Sequence, residues 1–190
     1  MKILKDRIIR DGRVLPGGII KVDSFINHQI DPNIVVDIGR EFAARFRGEG
    51  ITRIVTIEAS GIAIAFMAGL ELGVPVVFAK KGNVATQEPE LYHAVVRSAT
   101  RGITYRISIG KSYLWQGDRV LIIDDFLASG EAALGLADIV AQSGASLVGM
   151  GFVIEKSFAG GRQRLAGKTP RIESLAIIEE LDGESIRFAQ

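Results

Sequence analysis

Val120-Leu121-Ile122-Ile123-Asp124-Asp125-Phe126-Leu127-Ala128-Ser129-Gly130-Glu131-Ala132 is the stretch on which the reading of this chain turns. Arg119 to Ile123 is rich in β-branched residues and predicts a buried strand, which runs into two adjacent carboxylates, a short loop of small residues and the start of a helix. Each part has a physical use. Carboxylates at the carboxyl end of a parallel strand lie in the crevice where open α/β sheets bind ligands, and they accept hydrogen bonds from sugar hydroxyls. A loop of Ala, Ser and Gly lets backbone N–H groups approach an anion, and the helix that follows adds its partial positive charge. Hydroxyl readers beside an anion cradle describe a ribose phosphate. An isolated Asp-Asp pair reads equally well as a strand-ending turn with a helix cap, but the strand before it and the Ser-Gly helix opening after it favour a site.

Outward from this stretch the chain alternates short apolar runs with longer helical ones. Asp31-Pro32 opens a helix, because Asp at the N-cap accepts orphan N–H bonds and Pro is tolerated in the first turn. Val35, Ile38, Phe42 and Phe46 form its apolar stripe, and Gly48 and Gly50 end it. Arg53–Ile57 and Val74–Ala79 read as strands around a largely buried helix, Gly61–Leu72. Gly130–Ser143 reads as a helix with Glu131, Asp138 and Gln142 on its polar face, and Ser146–Ile154 as a further strand. The βαβ…βαβ order predicts an α/β fold with a mostly parallel sheet flanked by helices on both faces. The irregular connection from Lys81 to Ile109 is read as a flexible hood in preference to a pair of strands that cannot be placed. The stretch through Ile30 and the tail after Ser157 fit neither βα unit and are expected to cover the ligand end of the sheet. No repeat or linker marks a boundary, so residues 1–190 are read as one domain.

The 190 residues include no cysteine, are 47% hydrophobic and 24% charged, and carry a formal net charge of +1. That composition removes disulfide frameworks, thiolate zinc sites and thiol nucleophiles, and it suits a cytoplasmic protein. The charged amino terminus argues against a signal peptide, and the longest nearly uncharged run, Gly61–Leu70, is too short to span a bilayer. The small net charge argues against a dedicated nucleic-acid binder. Any anionic partner is expected to be small and locally bound.

A second constellation, Ile57-Glu58-Ala59-Ser60-Gly61, repeats the logic of small residues before a helix amino terminus. Alone it is an ordinary strand-to-helix turn. Paired with the first loop it reads as another anion site on the same edge of the sheet, with Lys80 or Lys81 and the hood residues Arg97, Arg101 and Arg106 as available cations.

The Val120–Ala132 pattern resembles the phosphoribosyl-diphosphate signature of the type I phosphoribosyltransferases. The resemblance implies that Asp124 and Asp125 contact the ribose hydroxyls, and that Ala128, Ser129, Gly130, Glu131 and Ala132 wrap the 5′-phosphate. It implies a diphosphate site at Ala59, Ser60, Gly61 and Lys80, with Glu58 either catalytic or orienting that loop. Ser129 keeps the hydroxyl that many members supply with Thr, whereas Ala132 stands where a hydroxyl is usual, so backbone donors carry more of the phosphate. Where some purine transferases have Arg, this chain has Ser60.

Lys21 to Pro32 and Val153 to Phe158 narrow the likeness to the xanthine-using members of the purine branch, and the similarity runs through nearly the whole chain. In those members the positions matching Ile20, Asn27 and Lys156 contact the purine. Xanthine carries ring oxygens at positions 2 and 6, which an amide and an ammonium can donate to, whereas adenine would leave the Lys156 donor unpaired. Without the resemblance, Asn27 reads as a turn residue and Lys156 as a surface lysine. His28 has no visible partner and is given no role.

The resemblance implies displacement of diphosphate from C1 of 5-phosphoribosyl 1-diphosphate by a ring nitrogen of xanthine, giving xanthosine 5′-monophosphate. Such a reaction rests on positioning and electrostatics rather than a protein nucleophile. Mg²⁺ would share the diphosphate charge while bound mainly through substrate oxygens and water, with no metal cage supplied by the protein alone. Dimers are usual among the resembling proteins, so a homodimer is expected. The competing readings are a regulatory sensor of phosphoribosyl diphosphate on the same fold, an adenine- or guanine-preferring transferase, and a receiver-like module using Asp124-Asp125 as an acidic pocket.

Overall fold

The computed structural model describes residues 1–82, 90–97, 102–183 and 185–189. Its centre is an eight-stranded sheet in the order β10-β9-β8-β7-β3-β4-β6-β5. The inner strands β3 (Arg53–Ile57), β4 (Val76–Lys81), β7 (Arg119–Leu127), β8 (Ser146–Lys156) and β9 (Ile172–Asp182) run parallel, in the order 9-8-7-3-4. One face is covered by α1 (Lys2–Asp11), α2 (Pro32–Phe46) and α3 (Ser60–Leu72), the other by α4 (Glu131–Ser143), so two apolar cores lie on opposite sides of the sheet.

Local chemistry explains the best-read element. The Asp31 carboxylate accepts the Asn33 N–H at 3.0 Å and Pro32 occupies the first turn of α2. Val35, Ile38, Phe42 and Phe46 are all buried beneath it. The helix sits close because β8 offers Gly149 and Gly151 below those rings: a Cβ there would lie 2.6 Å from Phe46 Cε1 and 2.7 Å from Phe42 Cε1.

Several boundaries differ from expectation. Strand β7 does not stop at Ile123 but continues through Leu127, because its parallel register with β8 persists to Phe126↔Ile154 and Leu127↔Glu155. Asp124 and Asp125 are therefore held within the strand rather than just past its end. Strand β4 likewise lies two residues later than the Val74–Ala79 run predicts.

The connection read as a flexible hood contains two strands, β5 (Leu91–Arg97) and β6 (Thr104–Gly110). They pair antiparallel along their whole length, and β6 joins β4 through Lys80↔Ser108 and Lys81↔Ile107. Burial explains it: Ala94 and Val96 from β5 and Ile107 and Ile109 from β6 enter the core under α4. Residues 83–89 and 98–101 of that connection, with Arg101, lie outside the described residues.

The tail is also more than a cover. Strand β9 extends the parallel sheet beside β8, and β10 (Ser185–Phe188) folds back on it. Only Ser157 to Leu165, a turn followed by the short helix α5 (Gly161–Leu165), stays at the carboxyl edge. At the amino end, the hairpin β1 (Arg13–Leu15)/β2 (Ile19–Lys21) leads into a wide helical turn, Asp23–Asn27.

Candidate active site

A cleft of about 700 Å³ opens at the carboxyl ends of β3, β4, β7 and β8, the crevice in which open α/β sheets bind ligands. Its floor is the end of β7. Asp124 is buried, and one carboxylate oxygen accepts the Asp125 N–H at 3.0 Å. Burial first, and the adjacent Asp125 charge second, hold its carboxyl well above the ordinary aspartate range; the Asp125 N–H and the Lys81 charge pull the other way. Asp125 bends back to accept the Phe126 N–H at 2.9 Å. Ala128, Ser129, Gly130, Glu131 and Ala132 follow along the cleft wall. Gly130 turns the chain at φ 81°, a left-handed conformation suited to glycine, and α4 begins with Glu131.

The β3 end supplies the opposite wall. Glu58 and Ser60 line the cleft, and the peptide bond between Glu58 and Ala59 is cis. The Glu58 carboxylate accepts the Lys81 N–H at 2.6 Å, tying the end of β3 to the end of β4. Ala59 instead lines a second, more apolar cavity between α2 and α3. Gly61 lies behind the cleft: a Cβ there would sit 2.1 Å from Thr56 Oγ1 and 2.9 Å from Asp124 Oδ1. Thus Gly61 is a spacer that lets α3 approach the buried Thr56 and Asp124, rather than a residue facing the cavity.

Lys80 does not line the cleft; Lys81 does. Adjacent residues on a strand face opposite sides, so only one of the pair can point inward. The Lys81 ammonium lies 5.7 Å from the Tyr105 ring centre. Of the hood arginines, Arg97 lines the cleft and Arg106 does not. Tyr105 was not anticipated, although the polar/apolar alternation from Thr104 to Ile109 carries it; its hydroxyl is pushed up by burial and by the Asp124 charge.

Ile20 and Asn27 line the cavity together with Lys156, at the end of β8. Lys156 donates to the Gly18 carbonyl at 2.8 Å and lies 5.8 Å from the Phe126 ring centre; burial lowers its pKa. Phe126, another residue missed from sequence, gives this end an apolar wall beside an ammonium and an amide. Such a slot suits a flat ring bearing acceptor oxygens. His28 lines the second cavity, away from the carboxylate pair.

Across its full length the chain is 53% identical to the xanthine phosphoribosyltransferase of Bacillus mycoides (strain KBAB4), covering 96% of that protein. The chain belongs to the xanthine phosphoribosyltransferase family. The xanthine phosphoribosyltransferase of Bacillus anthracis is 52% identical over the same extent. Among solved structures, adenine phosphoribosyltransferase from Thermoanaerobacter pseudethanolicus aligns with a TM-score of 0.74 at 26% identity, over 92% of this chain and 98% of that one. The Giardia lamblia adenine enzyme, complexed with 9-deazaadenine, gives 0.77 at 20% identity over 94% and 98%, a likeness of fold alone. No family model matches the chain. Membership in this xanthine phosphoribosyltransferase family and the α/β architecture agree with the reading of the Val120–Ala132 stretch.

Proposed function

We propose that the chain, acting as one domain over residues 1–190, transfers the phosphoribosyl group of 5-phosphoribosyl 1-diphosphate to xanthine, yielding xanthosine 5′-monophosphate and diphosphate. What supports this reading is that one cleft is lined by Asn27 and Lys156, by the 128–132 loop and by Asp124 and Asp125. A bond forms between a ring nitrogen of xanthine and ribose C1 as the C1–O bond breaks. The diphosphate leaves with the electron pair, and the nitrogen's proton passes to solvent. Positive charge grows on the ribose, so a dry, preorganised site matters more than a nucleophile.

In this reading Asp125 and Asp124 hold the ribose hydroxyls. A buried carboxyl that keeps its proton further up the pH scale can donate to a hydroxyl as well as accept from one. Backbone N–H groups of 128–132 and the start of α4 take the 5′-phosphate, and Ser60 with Lys81 faces the diphosphate. Glu58 holds β3 and β4 together through the Lys81 N–H. Among the described residues no group of three or more His, Asp or Glu is arranged to hold a metal. The Asp124–Asp125 pair and Glu58 give the cleft few carboxylates, which fits a Mg²⁺ carried mainly by substrate oxygens, where it would share the negative charge of the departing diphosphate.

Among the described residues no helix is long and apolar enough to cross a membrane. Cytoplasmic location, a homodimer and independence of nucleic acid complete the proposal. Incubation with 5-phosphoribosyl 1-diphosphate and, separately, xanthine, guanine, hypoxanthine and adenine tests it, with xanthine expected to be fastest. No diphosphate release with any base overturns the enzymatic reading, and adenine as the fastest acceptor overturns the assignment of Asn27 and Lys156.

A further inference from the structure

Loop 128–131 is backed by the segment Gly160–Leu165, which no motif in the sequence signals. Arg162 anchors that segment to the sheet. It donates from Nε and Nη2 to the two carboxylate oxygens of the buried Glu155 on β8, at 2.8 and 2.6 Å, and reaches the Ile172 carbonyl on β9 at 3.3 Å. Gly161 then packs directly against the loop: a Cβ there would fall 2.2 Å from the Ala128 carbonyl oxygen and 3.0 Å from the Gly130 nitrogen. Two residues past that anchor, Arg164 donates from Nη1 to the Ser129 carbonyl at 2.8 Å and pairs with the Glu131 carboxylate at 2.8 Å. Arg164 itself does not line the cleft.

Both contacts matter to an anion. A trans peptide unit carries its C=O and N–H on opposite edges, so holding the Ser129 carbonyl turns the Gly130 N–H away from Arg164. Gly130 is the loop's left-handed residue, the position at which a neighbouring peptide plane reorients most easily. Glu131 is the one carboxylate in the loop, at the end of α4 where an incoming phosphate would sit, and like charges there repel. Arg164 offsets that charge with a charge-assisted contact.

We propose that Arg164 is a positioning residue for the 5′-phosphate loop, fixing the Ser129–Gly130 peptide and neutralising Glu131. The proposal rests on the reading of 128–132 given above. It is tested on the full chain by calorimetric binding of ribose 5-phosphate together with steady-state kinetics. Arg164→Ala is expected to weaken ribose 5-phosphate binding and raise the KM for 5-phosphoribosyl 1-diphosphate by about tenfold, the scale of one partly exposed charge-assisted bond. The KM for xanthine and kcat are expected to stay within about twofold, since neither end of the reaction touches Arg164. Arg164→Lys, which keeps the charge on a shorter side chain that reaches the Ser129 carbonyl and Glu131 less well, is expected to fall between the two proteins. Adding Glu131→Gln to Arg164→Ala is expected to recover part of the binding. A ribose 5-phosphate affinity of Arg164→Ala equal to that of the parent overturns the proposal. So does a loss spread equally over kcat, xanthine KM and unfolding temperature, which is what a merely structural contact produces. Failure of the parent protein to bind ribose 5-phosphate overturns the reading of the loop itself.

Discussion

Asp124 is a buried carboxyl whose titration bears directly on stability. Its folded carboxyl titrates above its ordinary value of 3.8, through burial and the neighbouring Asp125. A carboxyl raised in the fold binds more protons there than in the unfolded chain. Its contribution to stability is thus fully present below the ordinary aspartate range and is lost as pH rises through the raised value. Above the ordinary aspartate range the buried carboxyl is therefore a cost to the fold. Asp124→Asn is therefore expected to unfold at a higher temperature than the parent near pH 7, with the difference shrinking toward acid, while its use of 5-phosphoribosyl 1-diphosphate weakens. Thermal scans from pH 4 to 8 check the first part; equal slopes in the two proteins would contradict it. At the same scale, the sequence named Lys80 where the cleft takes Lys81. The apolar run placed the strand's end at Ala79, and with the strand's end unknown, the side to which each lysine points could not be assigned.

At the level of elements, the two ends of the strands do different work. The carboxyl ends carry the cleft, whereas the amino end of β7 is closed by Asp118, a buried carboxylate. It accepts from Thr52 Oγ1 at 2.9 Å, Arg53 Nε at 3.0 Å and the Trp115 N–H at 3.2 Å, and Arg53 stacks on the Trp115 ring at 4.4 Å. Removing it leaves a largely buried guanidinium unpaired, so Asp118→Ala is expected to lose roughly 3 kcal/mol of stability by denaturant titration. Both Michaelis constants of the surviving folded enzyme should remain those of the parent. Elements with strong local signals were legible: α2 from its Asp31-Pro32 cap and four-residue stripe, β3 and β7 from their β-branched runs. Strands β5 and β6 were not. In β5 the apolar but exposed Val95 blurs the alternation; β6 does alternate from Thr104 to Ile109, but an antiparallel hairpin at a sheet edge is stabilised by pairing to β4 that no local period reports.

Over the whole molecule, the cleft joins parts far apart in the chain. Lys156, at the end of β8, holds the carbonyl of Gly18 in the amino-terminal hairpin, 138 residues away. Lys156→Met is expected to raise the KM for xanthine by about tenfold, as a half-buried charged donor is lost. It should also speed amide exchange across residues 13–21, which lose this tether to the sheet. Unchanged exchange in the hairpin would show that other contacts hold it. If two copies assemble, sedimentation of the purified chain will give twice its 20.5 kDa.

By itself the sequence determined the alternation of strands and helices, the carboxylate pair followed by a small-residue loop, and the family, because these are written in contiguous residues. Only the tertiary structure decided that Lys81 rather than Lys80 enters the cleft, that Gly61 makes room beside Thr56 and Asp124, and that Arg164 grips the loop at Ser129. Those contacts depend on strand order, register and the close approach of backbones, which arise between distant segments when apolar faces are buried together.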